Sequence, residues 1–185
     1  SVVLAGPKSV YIAPKSANGL ELYGRNLTEE IQELIDLPIF FFRKATKLID
    51  GRIAVMAGKK YSDQPSLDQN DRFVIVQGFD VLETEEGLLI ASDEGLKIFK
   101  NNQVAPYRIK GQQINNPVYC LLKDSKGNIW IGTDQGVVKI SQEGMVRYDE
   151  SNGLSGNEIN RGALIESKSG EIIIGTLKGF SNFFN

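Results

Sequence analysis

Histidine is absent from the 185 residues of the sequence. Without it, the chain cannot form a Ser-His or Cys-His nucleophile pair, the common zinc sites or an imidazole acid–base catalyst. The single cysteine, Cys120, excludes an internal disulfide, and it lies in the apolar run 118–122, where a buried and unreactive thiol is expected. We therefore expect neither an enzyme nor a cofactor.

A strong charge of either sign and a long apolar run are also missing. Lys and Arg number 21 and Asp and Glu number 23, which gives a formal charge of −2 and a pI near 5.3. Nucleic acid and anionic membrane surfaces are therefore poor candidates for a partner. No segment approaches the roughly 18 to 20 apolar residues of a membrane-spanning helix, and the N-terminus lacks the pattern of a signal peptide.

What the sequence does contain is an internal repeat. Its clearest copy runs from residue 118 to residue 148, and weaker copies surround it. The first turn glycines, Gly87, Gly127 and Gly170, lie 40 and 43 residues apart, and a second glycine follows each after 8, 9 and 9 residues. The positions that define the repeat are Gly87, Gly95, Asp124, Gly127, Trp130, Gly132, Thr133, Gly136, Gly170, Gly175 and Gly179.

Each copy contains short β-branched and aromatic runs bounded by Gly, Asp, Asn or Ser, which predicts strands joined by tight turns. In the clearest copy we expect strands at 118–123, 128–133, 137–141 and 145–149. One such antiparallel meander cannot bury both of its faces, and a period near 40 with four strands is typical of a β-propeller blade. Trp130 is expected in the core between two blades. The fold class is therefore all-β, with about four blades plus a partial one.

The repeat also predicts the organisation of the chain. Residues 1–185 are expected to form a single propeller segment with blades at 37–78, 79–113 and 114–158, a partial blade at 1–25 and an incomplete one at 159–185. A short surface helix is predicted over residues 26–37. Because neither end completes a blade in this alignment, we expect the chain to be part of a larger propeller. Open blade faces would favour self-association.

Residues 114–180 resemble the two-component regulator propeller repeat. The resemblance rests on Asp124, the turn residue Gly127 and the run 128–133, and the connector 148–159 also looks like the linker between blades of that family. In that family the propellers are extracytoplasmic sensor portions of hybrid two-component receptors of Bacteroidetes, often recognise glycan fragments and signal through a membrane helix to a histidine kinase. The resemblance implies a periplasmic or extracytoplasmic sensor of the same kind. The sialidase Asp-box is a nearby alternative, but its Asp and Gly are spaced by one residue.

Propellers bind ligands with the loops that lead into their innermost strands, because these loops converge at the channel mouth. Amides, a phenol and a guanidinium at such positions suit a hydroxyl-rich or carboxylated sugar. The alternative is that turn asparagines bond to their own backbone. The candidate ligand-binding residues are Asn115, Asn116, Tyr119, Asn157, Asn160 and Arg161.

No metal site is expected. Asp124 and Asn128 suggest calcium, but the alternating-oxygen loop with its terminal Glu is missing, so Asp124 is better explained as a turn cap. Two further functions stay open. The chain could serve as a protein–protein interaction scaffold, or as a propeller lyase or hydrolase that works with carboxylates, Tyr or Lys alone.

Overall fold

The structure, a computed structural model, describes residues 2–6, 9–13, 15–16, 19–20, 25–26, 42–57, 66–67 and 73–184. These residues are almost entirely strands and tight turns, with one short 3-10 helix at Glu150–Asn152. The helix predicted over 26–37 falls almost wholly outside them. By its internal contacts the chain forms two compact units, Ser1–Gly78 with Phe99–Val104, and Phe79–Ile98 with Ala105–Asn185.

The first unit holds short strands and one larger sheet. Its strands are β1 (Val2–Gly6), β2 (Ser9–Ala13), β3 (Lys15–Ser16), β4 (Gly19–Leu20), β5 (Arg25–Asn26), β6 (Phe42–Lys47), β7 (Ile53–Ala57), β8 (Ser66–Leu67) and β9 (Phe73–Gln77). The sheets run β1-β2-β5, β3-β4 and β6-β7-β9-β8.

The sheet of β6 to β9 differs from the meander predicted for this part of the chain. β7 and β9 pair in parallel, and β8 lies outside β9 at the edge. A parallel pair needs a crossover of a dozen or more residues, and residues 58–72 supply that length. A two-residue turn after β7 would have forced the antiparallel order instead.

The remaining strands follow the predicted repeat. They are β10 (Asp80–Thr84), β11 (Gly87–Ser92), β12 (Gly95–Lys100), β13 (Gln103–Pro106), β14 (Arg108–Ile109), β15 (Gln112–Gln113), β16 (Val118–Lys123), β17 (Ile129–Thr133), β18 (Gly136–Ile140), β19 (Met145–Tyr148), β20 (Ile159–Glu166), β21 (Glu171–Thr176) and β22 (Gly179–Phe184). The sheets β10-β11-β12-β13, β16-β17-β18-β19 and β20-β21-β22 keep sequence order, and β14 pairs with β15. Strands β16 to β19 confirm the four strands predicted for the clearest copy.

The turn after the first strand of each blade explains the glycine spacing. The amides of Gly51, Gly127 and Gly170 each donate to the carbonyl oxygen three residues earlier, at 2.9, 3.0 and 3.0 Å. Gly87 instead pairs directly with Thr84 across a turn of two residues. Because this turn is shorter, Gly87 is itself the first residue of β11. Its second glycine therefore follows after 8 residues, where the other two copies have 9.

Two hydrophobic clusters lie between successive sheets. The first joins the sheets that begin with β10 and β16 through Leu89, Leu121 and Ile131, and the second joins those that begin with β16 and β20. Trp130, which is 2% exposed, belongs to the second cluster and stacks on Tyr148 at 5.9 Å between ring centroids. This confirms the predicted position of the tryptophan between two blades.

A buried carboxylate explains the Asp-x-x-Gly-Asn-x-Trp pattern. Asp124 accepts hydrogen bonds from the Lys126 amide at 3.0 Å, the Asn128 amide at 2.8 Å and the Trp130 indole Nε1 at 2.8 Å. Its side chain therefore fixes the turn around Gly127 and holds the indole at the same time. The spacing of residues within this motif matches these hydrogen bonds, because the Asp124 carboxylate accepts from donors two, four and six residues later.

Two further carboxylates link neighbouring blades. Asp80 accepts the amide of Leu121 at 2.8 Å, and Glu166 accepts the amide of Ser125 at 2.8 Å. Each bond joins residues 41 positions apart, which is one repeat. Apolar packing between the sheets is thus supplemented by directional contacts, which set how the innermost strands lie beside one another.

Candidate functional site

The candidate site forms where two innermost strands bulge. On β16 the chain advances two residues from Val118 to Cys120 while β17 advances one, so Tyr119 is left outside the ladder. On β20 the chain advances five residues from Ile159 to Leu164 while β21 advances two. A bulge bends a strand and re-aims its side chains. The β20 bulge carries Asn160 and Arg161 out of the sheet.

Arg161 reaches across to the two preceding blades. Its guanidinium carbon lies 4.1 Å from the centroid of the Phe79 ring and 6.0 Å from that of Tyr119. The two rings are 5.7 Å apart and tilted by 52°. Guanidinium groups within about 6 Å of an aromatic face are attracted by its quadrupole. Side chains of three successive blades therefore meet in one cation–aromatic cluster.

A cavity of about 410 Å³ opens beside this cluster. Its walls are formed by Tyr119, Glu158, Ile159, Asn160 and Arg161. The Asn160 amide nitrogen donates to the Thr176 carbonyl at 3.0 Å, which leaves the Asn160 side-chain oxygen as an acceptor. Among the residues that the structure describes, no hydrogen bond or ion pair joins the Arg161 guanidinium or the Glu158 carboxylate to a partner. Opposite charges and an amide oxygen are thus available to a ligand.

Electrostatics keep the Tyr119 hydroxyl protonated. Partial burial raises the pKa of Tyr119, the carboxylates of Glu158 and Asp134 raise it further, and the Arg161 guanidinium acts in the opposite direction. At neutral pH the phenol is therefore available as a hydrogen-bond donor.

Of the six predicted residues, the structure brings Tyr119, Asn160 and Arg161 together. Asn116 donates to the Asp134 carboxylate, and Asn157 accepts the Glu150 amide at 2.8 Å. Asn116, Asn157 and the exposed Asn115 do not line the cavity. Asn157 thus bonds to the backbone of its own loop, as in the alternative, whereas Asn116 bonds to the side chain of a residue in another turn.

Phe79 and Glu158 belong to the site and were missed by the sequence reasoning. The sequence does hold a signal for the bulge that creates the site. Ser92 and Thr133 end equivalent strands 41 residues apart, whereas Thr133 and Thr176 are 43 apart. The β20 bulge holds three residues more than the partner segment of β21, and the β16 bulge holds one more than that of β17. The difference of two residues accounts for the longer spacing.

A second cavity, of about 380 Å³, lies at the opposite ends of the strands. It is bordered by Glu85, Glu86, Tyr107 and Lys123, among others. The Tyr107 hydroxyl donates to Glu86 at 3.0 Å, and partial burial together with this carboxylate raises the pKa of Tyr107 to about 12. In this cavity Glu86 and Tyr107 are therefore bonded to each other.

The described residues contain no group of three or more His, Cys, Asp or Glu side chains placed to hold a metal ion. No helix among them has the length and apolar character required to cross a membrane.

Comparison with known proteins supports the propeller architecture. Residues 112–135 match the family model described as two component regulator propeller. The extracellular domain of a putative hybrid two component system from B. thetaiotaomicron is 18% identical with a TM-score of 0.66, and the match covers 100% of this chain and 27% of that one. A putative one component system of the same organism has an extracellular domain that is 17% identical with a TM-score of 0.60, over 97% of this chain and 25% of that one.

The chain thus spans about a quarter of the length of these solved structures. A comparison with curated proteins gives no significant match. The resemblance expected from the sequence is confirmed: the chain has a β-propeller fold, and its residues 112–135 match the two component regulator propeller model.

Proposed function

We propose that this chain is a non-catalytic, ligand-sensing part of the propeller of a two-component receptor and that its ligand is a glycan fragment. The observation that carries the proposal is the composition of the candidate site. Phe79, Tyr119 and Arg161 come from three successive blades and meet beside one cavity. A ligand bound there contacts more than one blade at once.

Such a site suits sensing because a ligand shifts a conformational equilibrium only through different affinity for the two states. A ligand that bridges blades binds most tightly when they have one particular spacing, so its binding energy depends on their relative arrangement. The Tyr119 ring, the side-chain amide of Asn160 and the charged groups of Glu158 and Arg161 supply the stacking surface, acceptors and donors that a polyhydroxylated ring needs.

The same cavity argues against turnover. Glycosidases use two carboxyl groups that flank the scissile bond. Glu158 is the only carboxylate among the described residues that line this cavity. With no histidine in the chain, a second acid–base group beside Glu158 would have to be a Tyr or Lys side chain. We propose binding without catalysis for this reason.

The setting of the chain is part of the proposal. The similar solved structures are extracellular domains of putative two component and one component systems. We place this chain on the extracytoplasmic or periplasmic side of such a receptor, where the remaining propeller and a histidine kinase would be its partners. No nucleic acid partner is expected at a net charge of −2.

Binding of an oligosaccharide panel, measured by calorimetry and by the rise in melting temperature, tests this function. We expect at least one member to bind and Tyr119→Phe to weaken it about 3- to 10-fold, because one hydrogen bond is lost. Tyr107→Phe is the matched control at the second cavity and should leave affinity unchanged. If no member of the panel binds, or if both variants have the same effect, the proposal is wrong.

Self-association is a second role that one surface favours. Phe180 is 76% exposed and Ile165 is 54% exposed on the last sheet. Phe180 is equivalent to Val137 of the preceding sheet, because Phe180 pairs with Gly175 and Val137 pairs with Gly132. Val137 is fully buried against the following blade. We propose that two copies of this 185-residue chain pair through this face, in the place that a following blade of the remaining propeller would take. Sedimentation should show a dimer that Phe180→Ser disrupts and Leu177→Ser does not, and a monomer at all concentrations would refute it.

A further inference from the structure

We infer that the ligand of the Arg161 cavity carries a carboxylate group beside its hydroxyls, as a sugar acid does, and this inference rests on the proposed function. The Arg161 guanidinium is stacked at 4.1 Å on Phe79, and no acceptor for its N–H groups lies among the residues that the structure describes. Five donors on a side chain that is already positioned are thus directed at solvent and the cavity.

A carboxylate is the group that best matches this arrangement. The planar guanidinium binds a carboxylate through two parallel hydrogen bonds, which are charge-assisted and stronger than bonds to neutral hydroxyls. Because the stack on Phe79 and Tyr119 restricts the Arg161 side chain, less rotamer freedom is lost when the ligand binds. A neutral sugar would use the same donors only for the weaker contacts.

The other side chains of the cavity define the rest of the ligand. Glu158 has no ion-pair partner within the described residues, so its carboxylate can accept hydrogen bonds from two hydroxyl groups. The Asn160 side-chain oxygen is another acceptor, and the Tyr119 hydroxyl is a donor. A ring with one carboxylate and several hydroxyls satisfies all four side chains. A ligand with several carboxylates would bring one of them close to Glu158.

The test compares acidic sugars that carry one carboxylate with their neutral counterparts. Calorimetry would measure the affinity of D-glucuronate against D-glucose, and of D-galacturonate against its methyl ester. We expect the acidic member of a pair to bind at least about 10-fold more tightly and to weaken as salt is raised, because the charges are exposed to screening. Arg161→Gln should lower its affinity about 10- to 100-fold and change the affinity of the neutral member less than about 3-fold.

Three further variants separate the contributions. Arg161→Lys keeps the charge but loses the paired geometry, so its affinity should fall between wild type and Arg161→Gln. Glu158→Gln should raise the ratio of acidic to neutral affinity, because a like charge is removed. Arg147→Gln is the matched control, since Arg147 is an exposed arginine bonded to Gln135 and absent from the cavity wall.

The outcomes distinguish this inference from the proposed function. Equal or tighter binding of the neutral probes, with no effect of Arg161→Gln, would overturn the inference and leave the sensing function standing. Acidic binding that Arg147→Gln weakens as much as Arg161→Gln would overturn it as well, because a diffuse charge effect would then explain the preference. Failure of every acidic and neutral sugar to bind would overturn both.

Discussion

Replacing Gly136 with alanine should destabilise the protein far more than the same change at Gly127, although both glycines lie in turns of one blade. Both have positive φ angles, +108° and +85°, in which a side chain is unfavourable by about 1 to 2 kcal/mol. They differ in their surroundings. A Cβ at Gly136 would lie 2.2 Å from the carbonyl oxygen of Tyr148, whereas a Cβ at Gly127 would meet no atom within 4 Å.

The backbone around Gly136 cannot easily move to relieve this contact. Its amide donates to the Asn157 carbonyl at 2.7 Å, and Tyr148 belongs to β19, which is paired with β18. Forcing extra atoms into a packed site costs typically about 1 to 3 kcal/mol beyond the conformational term. We therefore expect about 1 to 2 kcal/mol for Gly127→Ala and about 2 to 5 kcal/mol for Gly136→Ala.

Urea unfolding followed by tryptophan fluorescence measures both values. The chain has one tryptophan, Trp130, and it is buried in the same blade as the two glycines, so its emission reports the unfolding of that blade. Gly95→Ala provides a replicate, because its Cβ would lie 2.0 Å from the Ile114 carbonyl oxygen. Equal destabilisation by Gly127→Ala and Gly136→Ala would refute the reasoning, since conformational strain alone would then account for both.

Three other substitutions or titrations test the packing of the blades. Trp130→Phe removes the bond to Asp124 and should lower the unfolding free energy by about 2 to 3 kcal/mol. Because this variant has no tryptophan, its urea unfolding is followed by circular dichroism, and a loss below about 0.5 kcal/mol would contradict the prediction. Asp80→Ala leaves the buried Leu121 amide without its acceptor and should lower that energy by about 1 to 3 kcal/mol, and unchanged stability would exclude this blade link. Burial raises the pKa of the Cys120 thiol from 9.0 to about 12, so the folded state holds the thiol proton more tightly than the unfolded state does. The unfolding free energy should therefore fall as pH rises from about 9 to 12. Iodoacetamide at pH 8 should modify Cys120 only after unfolding, and rapid labelling of the folded protein would be the contrary result.

The regular part of the fold could be predicted because its physical causes are local. Gly127 marks a turn, Asp124 caps it, and Trp130 bonds to the same carboxylate, so three residue types at fixed spacing specify one hairpin. The strands from 118 to 148 followed from that spacing. The parallel pairing of β7 and β9 did not, since it depends on where a connection of 15 residues returns to the sheet.

The sequence predicted some residues of the candidate site and not others, because only some of them follow from the repeat. Tyr119, Asn160 and Arg161 stand at positions that lead into innermost strands, which the repeat reveals. Phe79 enters the site only because the β20 bulge carries Arg161 past the intervening blade, and a distance between side chains of different blades is not visible in one sequence. Sequence spacing identifies the strand, but the contact depends on how successive sheets stack.

The location of the site in a bulge follows from how tightly the repeat is packed. A Cβ at Gly132 would lie 2.5 Å from the Cys120 sulfur, and one at Gly175 would lie 2.9 Å from the Ala163 Cβ, so neither ladder position can accept a side chain without displacing a neighbour. A bulge is free of this restriction, because its residues leave the ladder while the pairing resumes in register beyond it. Specificity between propellers of this type should therefore vary most at bulge residues such as Arg161, while the glycines of the ladder stay fixed by steric fit.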